Sequence, residues 1–283
     1  MFNRKIQQKF QKFFLISSLI VLFSGLSAIA QPSNQEERKE LTIAEKAELD
    51  KKEEELKAML EKNPRLAEVH LNLGNIYWTQ GRDGKPIRHY LAAIKLKPDY
   101  AEAYYNLGNV FFTQGEHEQA VKSYRKAIEL KETFAPAHNG LGNALIDEKN
   151  YAAAIESYKR AVDLNPSYNE AIYNLCSAYM YAAKYSDAVT ACQRATNIQR
   201  DARAYNNLGN AYFRTKQFDL ALKAYNNALE VEPELPEAHF NIAAISLVYK
   251  KDKAEALNRE RILKVIDPQK SHKLSALIKS SGI

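Results

Sequence analysis

Several things are scarce in this chain, and each scarcity excludes a class of function. Cysteine is confined to Cys176 and Cys192, and the six histidines are dispersed. No pair among them has metal-ligand spacing with a second cysteine, histidine or carboxylate partner, so no metal site is expected. Nucleophile elbow, phosphate loop and zinc-hydrolase helix motifs are all absent, and no enzyme activity or cofactor is expected. Charge of one sign is nearly balanced: the formal +6 includes the leader cations Arg4, Lys5, Lys9 and Lys12, so the remainder carries about +2. That gives no electrostatic footprint for a nucleic-acid partner. Long apolar runs are missing too, apart from one near the N-terminus, Phe13 to Leu26.

What the chain does have is a period. The string Asn-Leu-Gly-Asn stands at 72–75, 106–109 and 207–210, with blurred copies at 140–143, 174–177 and 241–244. A repeat of about 34 residues is the signature of a stacked array. The copies run 67–100, 101–134, 135–168, 169–201 and 202–235, with a degenerate copy at 236–269 that needs about one extra residue.

Each copy predicts a helix, a turn and a second helix. In the second copy Tyr104, Leu107, Gly108 and Phe111 recur at i, i+3, i+4, i+7, one face of a helix. Ala120, Tyr124 and Ala127 repeat the pattern after a break at Gly115. The prolines Pro64, Pro98, Pro166, Pro233 and Pro268 fit linkers between hairpins, because proline lacks the amide a helix needs. Gly74, Gly108, Gly142 and Gly209 each cost about 1 kcal/mol in a helix interior, which close approach of the paired helix must offset. Alanines such as Ala120 and Ala154 are expected to supply the thin facing surface. In the first copy Pro86 follows Gly81-Arg82-Asp83-Gly84, so its second helix is expected to start late.

On these residues the unit resembles the tetratricopeptide repeat (TPR): large–x2–Leu–Gly–x2–aromatic, then Ala–x3–aromatic–x2–Ala, then Pro. The resemblance covers 67–269 and implies an all-α, right-handed α-solenoid of helix-turn-helix hairpins. Residues 42–66 read as a capping helix or half repeat. Residues 270–283 read as a basic C-terminal tail, which could lie near anionic lipid or serve as a polar cap.

The N-terminus reads separately. The four cations, the apolar run and the Ala28-Ile29-Ala30 cleavage pattern lay out a secretory signal peptide over 1–30, with an uncleaved membrane anchor as the alternative. Either leaves the repeats in an extracytoplasmic compartment, the periplasm or an equivalent lumen. Residues 31–41 are a linker.

The candidate site is a ladder. Asn72, Asn106, Asn174, Asn207 and Asn241 share the sixth place of their copies, and Asn75, Asn109, Asn143 and Asn210 the ninth. Tyr105 and Tyr173 neighbour them, and Phe112 and Phe213 flank them. The resemblance implies that first helices line a concave groove where such asparagines hold an extended peptide. A carboxamide offers one acceptor and two donors, enough to pair with a peptide backbone. Service in packing is the competing account of the same asparagines. The expected partner is therefore a protein segment, and the expected role is a scaffold that aids a membrane-associated complex. The alternative is a structural spacer or homo-oligomer acting through the ends of the array. The family's carboxylate clamp is not expected, because Glu68, Glu102, Glu170 and Glu237 stand near the groove. For Cys176 and Cys192 the expectation is two small buried thiols, with a disulfide stapling one copy as the alternative.

Overall fold

The computed structural model describes residues 41–82 and 84–281. The leader 1–30, most of the linker and Asp83 lie outside the described residues. No strand occurs among those described, and no helix there is long and apolar enough to cross a membrane. Two compact units divide the chain, one ending at Ala178 and the other beginning at Tyr179.

The first unit opens with α1 (Ile43–Lys62), started by a capping box in which Thr42 and Glu45 satisfy each other's backbone amides. Leu56, Leu60 and Leu66 pack against Val69, Leu73 and Tyr77 of α2 (Ala67–Thr79). Glu53 fixes this seam. Its carboxylate is 4% exposed and takes Lys57 Nζ at 2.7 Å, Arg82 Nη1 at 2.9 Å and the Tyr77 hydroxyl at 3.0 Å. Burial pushes the Glu53 pKa up, but these three donors together hold it below the ordinary carboxylate value. α1 thus covers part of α2 with an apolar seam and an ion pair to the buried Glu53.

Three hairpins follow. They pair α2 with α3 (Lys85–Leu96), α4 (Ala101–Thr113) with α5 (His117–Leu130), and α6 (Ala135–Asp147) with α7 (Tyr151–Leu164); α8 (Asn169–Tyr181) comes next. α3 also packs on α4, and α5 on α6, the first helix of the next hairpin in each case. Such helices are too short to stand alone in water, so neighbouring layers hold them. The turns use left-handed residues, Gly81, Gly115 and Lys149 among them. As the Gly81-to-Gly84 stretch predicts, α3 begins late, after Gly84 at φ +75°.

The space over Gly74, Gly108, Gly142 and Gly209 is filled by a ring, which corrects the alanine expectation. A Cβ added to Gly142 would lie 2.5 Å from Tyr158 Cε1, and one on Gly74 2.5 Å from Tyr90 Cε1. The alanines are buried beside them, but the tyrosine of the second helix occupies the space over the glycine.

The second unit contains α9 (Tyr185–Ile198), α10 (Ala202–Arg214), α11 (Phe218–Val231), α12 (Pro236–Ile245), α13 (Lys253–Ile266) and α14 (Pro268–Ser280). The extra residue of the sixth copy is absorbed by a π-turn at Ser246–Lys250, whose wider ring accommodates one more residue per turn. Residues 268–280 are not a tail. They form α14, which buries Leu274 and Ile278 against Phe240, Leu247, Ala256 and Leu263. Lys270 binds Glu237 at 2.8 Å and Asp267 at 2.7 Å.

Candidate functional site

The ninth-place asparagines sit on first helices with their oxygens turned inward. In the first unit Tyr90, Tyr124 and Tyr158 donate their hydroxyls to Asn75, Asn109 and Asn143 Oδ1 at 2.9, 2.8 and 2.7 Å. In the second unit Tyr225 does the same to Asn210 at 2.8 Å. Burial raises the pKa of Tyr90, Tyr124 and Tyr225, so these phenols stay protonated and serve as donors.

The sixth-place asparagines bond across layers. Asn106 Nδ2 donates to Asn75 Oδ1 at 2.8 Å, Asn174 Nδ2 to Asn143 Oδ1 at 3.1 Å, and Asn241 Nδ2 to Asn210 Oδ1 at 3.1 Å. Asn174 also reaches Asn139 Oδ1 at 3.1 Å, and Asn241 reaches Asn206 Oδ1 at 3.4 Å. An amide nitrogen can only donate, so the atom accepting it must be oxygen. The network therefore fixes which way each ninth-place carboxamide points. In the third copy Gly140 replaces the sixth-place asparagine, and it packs against the Tyr124 ring instead.

Exposure divides the expected ladder in two. Asn72 is exposed, and Asn75, Tyr105, Asn106 and Asn109 are half-buried. Asn143, Asn174, Asn207, Asn210 and Asn241 are buried, as are Phe112 and Tyr173; Phe213 is half-buried. Among the ladder asparagines only Asn72, Asn75, Asn106 and Asn109, all in the first two copies, are partly or fully exposed, although Asn106 and Asn75 bond one another across layers. Farther along, the carboxamides are buried.

The flanking residues are also paired. The Tyr105 ring lies 5.1 Å from Phe134 and 6.0 Å from Tyr124. Glu102 binds Lys131 at 3.1 Å, and Asn139 Nδ2 donates to Glu170 Oε1 at 2.9 Å. The fourth-place histidines of two copies are hydrogen-bonded: His138 Nε2 meets the Glu132 carbonyl at 3.0 Å and His239 Nε2 the Pro233 carbonyl at 2.8 Å. Among the described residues no group of three or more metal-ligating side chains occurs. Cys176 and Cys192 are both fully buried as expected, but neither is a free thiol; each is disulfide-bonded.

Sequence reasoning missed the role of the tyrosines. Each stands fifteen residues after its asparagine in every intact copy. That constant offset was the available signal.

With this geometry in place, known proteins can be compared. The family model described as Tetratricopeptide repeat matches residues 101–134, 135–168 and 202–235, and one described as TPR repeat matches 85–115. No curated protein matches. Among solved structures, the crystal structure of MamA protein is 30% identical over 59% of this chain and 92% of its own, with a TM-score of 0.55. YrrB, described as a TPR protein with an unusual peptide-binding site, is 22% identical over 65% of this chain and 95% of its own, TM-score 0.58. The Pseudomonas aeruginosa pilF structure is 19% identical over 74% and 96%, TM-score 0.64. The last two show likeness of fold.

Proposed function

Because this chain belongs to the tetratricopeptide repeat family, we propose that it is a scaffold that acts without catalysis and holds an extended segment of a protein partner along its first helices. The observation that carries the proposal is the accessible strip Asn72, Asn75, Tyr105, Asn106 and Asn109 on α2 and α4. It combines carboxamides of fixed orientation with an aromatic face, and so offers backbone hydrogen bonds and apolar area together. The peptide-binding site described for YrrB supports the same kind of use. The buried asparagines of the later copies hold the layers in register behind that strip.

The leader pattern supports a site of action outside the cytoplasm, where the scaffold would help assemble or maintain a membrane-associated complex. The spacer or homo-oligomer alternative requires an uncovered apolar face at an end of the array. In the structure α14 covers the last hairpin with Leu274 and Ile278, which weakens its motive.

The test is affinity capture from a membrane fraction, using the native protein and an Asn72→Ala/Tyr105→Ala/Asn109→Ala variant with unchanged helicity. The expected result is a partner retained by the native protein and lost from the variant. Equal recovery by both would remove the strip from consideration.

A further inference from the structure

The second helices of the copies differ on their outer faces. Among α3, α5, α7, α9, α11 and α13, α3 alone carries no aspartate or glutamate. Its inner side buries Pro86, Tyr90 and Ala93. Arg88, Leu91 and Lys95 stand at i, i+3 and i+7 on the other side, and all three are exposed.

The sister copies fill the same places with other chemistry. The place of Leu91 holds Arg125, Lys159, Gln193 and Asn226 in copies two to five, all exposed and all polar. Only the first copy puts an apolar side chain there, and it is 49% exposed. The place of Lys95 holds Glu129, Asp163, Asn197 and Glu230 in those copies. Cations on the other outer faces meet a carboxylate one turn away: Lys122 binds Glu118 at 2.8 Å and Lys159 binds Glu156 at 3.1 Å. Among the described residues no ion pair is made by Arg88 or Lys95. The face of α3 thus exchanges acids for a cation and a polar residue for a leucine.

Cations around an exposed apolar side chain combine attraction to anionic headgroups with area to bury at the acyl boundary. We infer that the outer face of α3 docks the first hairpin on an anionic phospholipid surface. An acidic polypeptide fits less well. A single outward helix face is convex, so it meets a plane of headgroups but encloses no extended chain. Leu91 also gains nothing from a purely ionic partner, whereas a lipid interface takes up cation and leucine together. The inference rests on the proposed role beside a membrane for its setting, but it uses none of the asparagine strip, which lies on α2 and α4.

The test sediments the chain from Gln31 with phospholipid vesicles. This is the form that leader removal would leave, and it keeps every described helix. One set of vesicles is phosphatidylcholine alone, and the other contains one-third phosphatidylglycerol. The expected result is binding to the second set only, weakened by added salt. Arg88→Gln/Lys95→Gln should weaken it by about 25-fold, because each cation near such a surface contributes roughly fivefold. Leu91→Gln, which copies the fourth repeat, should weaken it severalfold. Lys122→Gln/Arg125→Gln on α5 should leave it unchanged. Equal binding to both sets of vesicles would overturn the proposal. So would undiminished binding by the α3 variants, which would move the contact to another basic surface such as α14. Retention on immobilised poly-L-glutamate without binding to vesicles would overturn it too, in favour of an acidic polypeptide. Vesicle binding needs no protein partner, so its failure is distinct from failure of capture through the strip.

Discussion

The Tyr158 hydroxyl donates to Asn143 Oδ1 at 2.7 Å, and both side chains are buried, at 1% and 0% exposure. The same oxygen takes Asn174 Nδ2 from the following copy. One acceptor thus joins two helices of one hairpin to the next layer. Removing only the hydroxyl, in Tyr158→Phe, should cost about 0.5–1.5 kcal/mol, since Asn143 keeps its other donor. Asn143→Ala takes the shared acceptor from both the Tyr158 hydroxyl and Asn174 Nδ2, which keeps only its bond to Asn139 Oδ1, and should cost more, on the order of 1–3 kcal/mol. The double variant should be less destabilised than the sum of the singles. Urea denaturation of all four proteins measures the coupling, and strict additivity would mean that the bond carries no energy.

Gly142 faces the same ring. Alanine there would normally gain about 1 kcal/mol of helix propensity. Its Cβ would instead lie 2.5 and 2.7 Å from Tyr158 Cε1 and Cδ1. The ring is buried and its hydroxyl is held by Asn143, so it has little room to swing. Gly142→Ala should therefore destabilise by about 1–3 kcal/mol, the usual range for overpacking. Adding Tyr158→Leu should recover part of the loss, while adding Tyr158→Phe should not. A stabilised Gly142→Ala protein would show that the ring is not the constraint.

The period, the hairpins and the late start of α3 were legible because each rests on local signals: helical spacing, a turn residue, a proline. The site was legible only as a set of positions. Asn72 and Asn174 look equivalent in sequence, yet one is exposed and the other enclosed. The difference arises from what stands in the adjacent copy. Asn174 closes over Asn143, whereas Asn72 belongs to the first copy and bonds no earlier first helix in the described network. Burial at a stacked interface depends on a neighbour 31 residues away, and a single-copy motif does not carry that information. The basic stretch at 270–279 misled for a related reason. Its charge is conspicuous, but the residues that place it are Leu274 and Ile278, four apart on a short helix that becomes visible only when docked.

His89 makes stability depend on pH. Its Nδ1 lies 3.1 Å from His70 Nδ1, its ring packs on Tyr77, and Lys85 and Arg88 stand nearby, with Glu53 as the opposing charge. Burial first, then repulsion from His70, Arg88 and Lys85, depresses its pKa to about 4. In the unfolded chain the ring takes a proton near pH 6.5, so the unfolded state binds more protons between pH 6.5 and 4. Stability from this group is fully present above pH 6.5 and is lost as pH falls through that window. Burial lowers the pKa of His138 and His239 as well, with the same sign. Urea midpoints between pH 8 and pH 4 should fall on acidification, and His89→Gln should remove about one proton from the slope. An unchanged slope in that variant would remove His89 as a contributor.

Cys176 and Cys192 occupy positions where the other copies carry glycine and an aromatic, and both side chains are 0% exposed. Neither is a free thiol. A disulfide belongs to an oxidising compartment, which agrees with the export pattern at the N-terminus. Protein isolated from its native compartment and denatured without reductant should therefore take up no thiol-specific alkylating reagent. After reduction it should take up two, one for each cysteine of the chain. The same chain expressed without residues 1–30 in a reducing cytosol should label at both positions once denatured, and it should unfold at a lower urea concentration than the oxidised form. The stabilisation depends on what the cross-link removes from the unfolded ensemble, typically about 2–4 kcal/mol. Two labelled cysteines in the unreduced protein from its native source would refute the oxidised state, and would leave burial alone to account for the two residues.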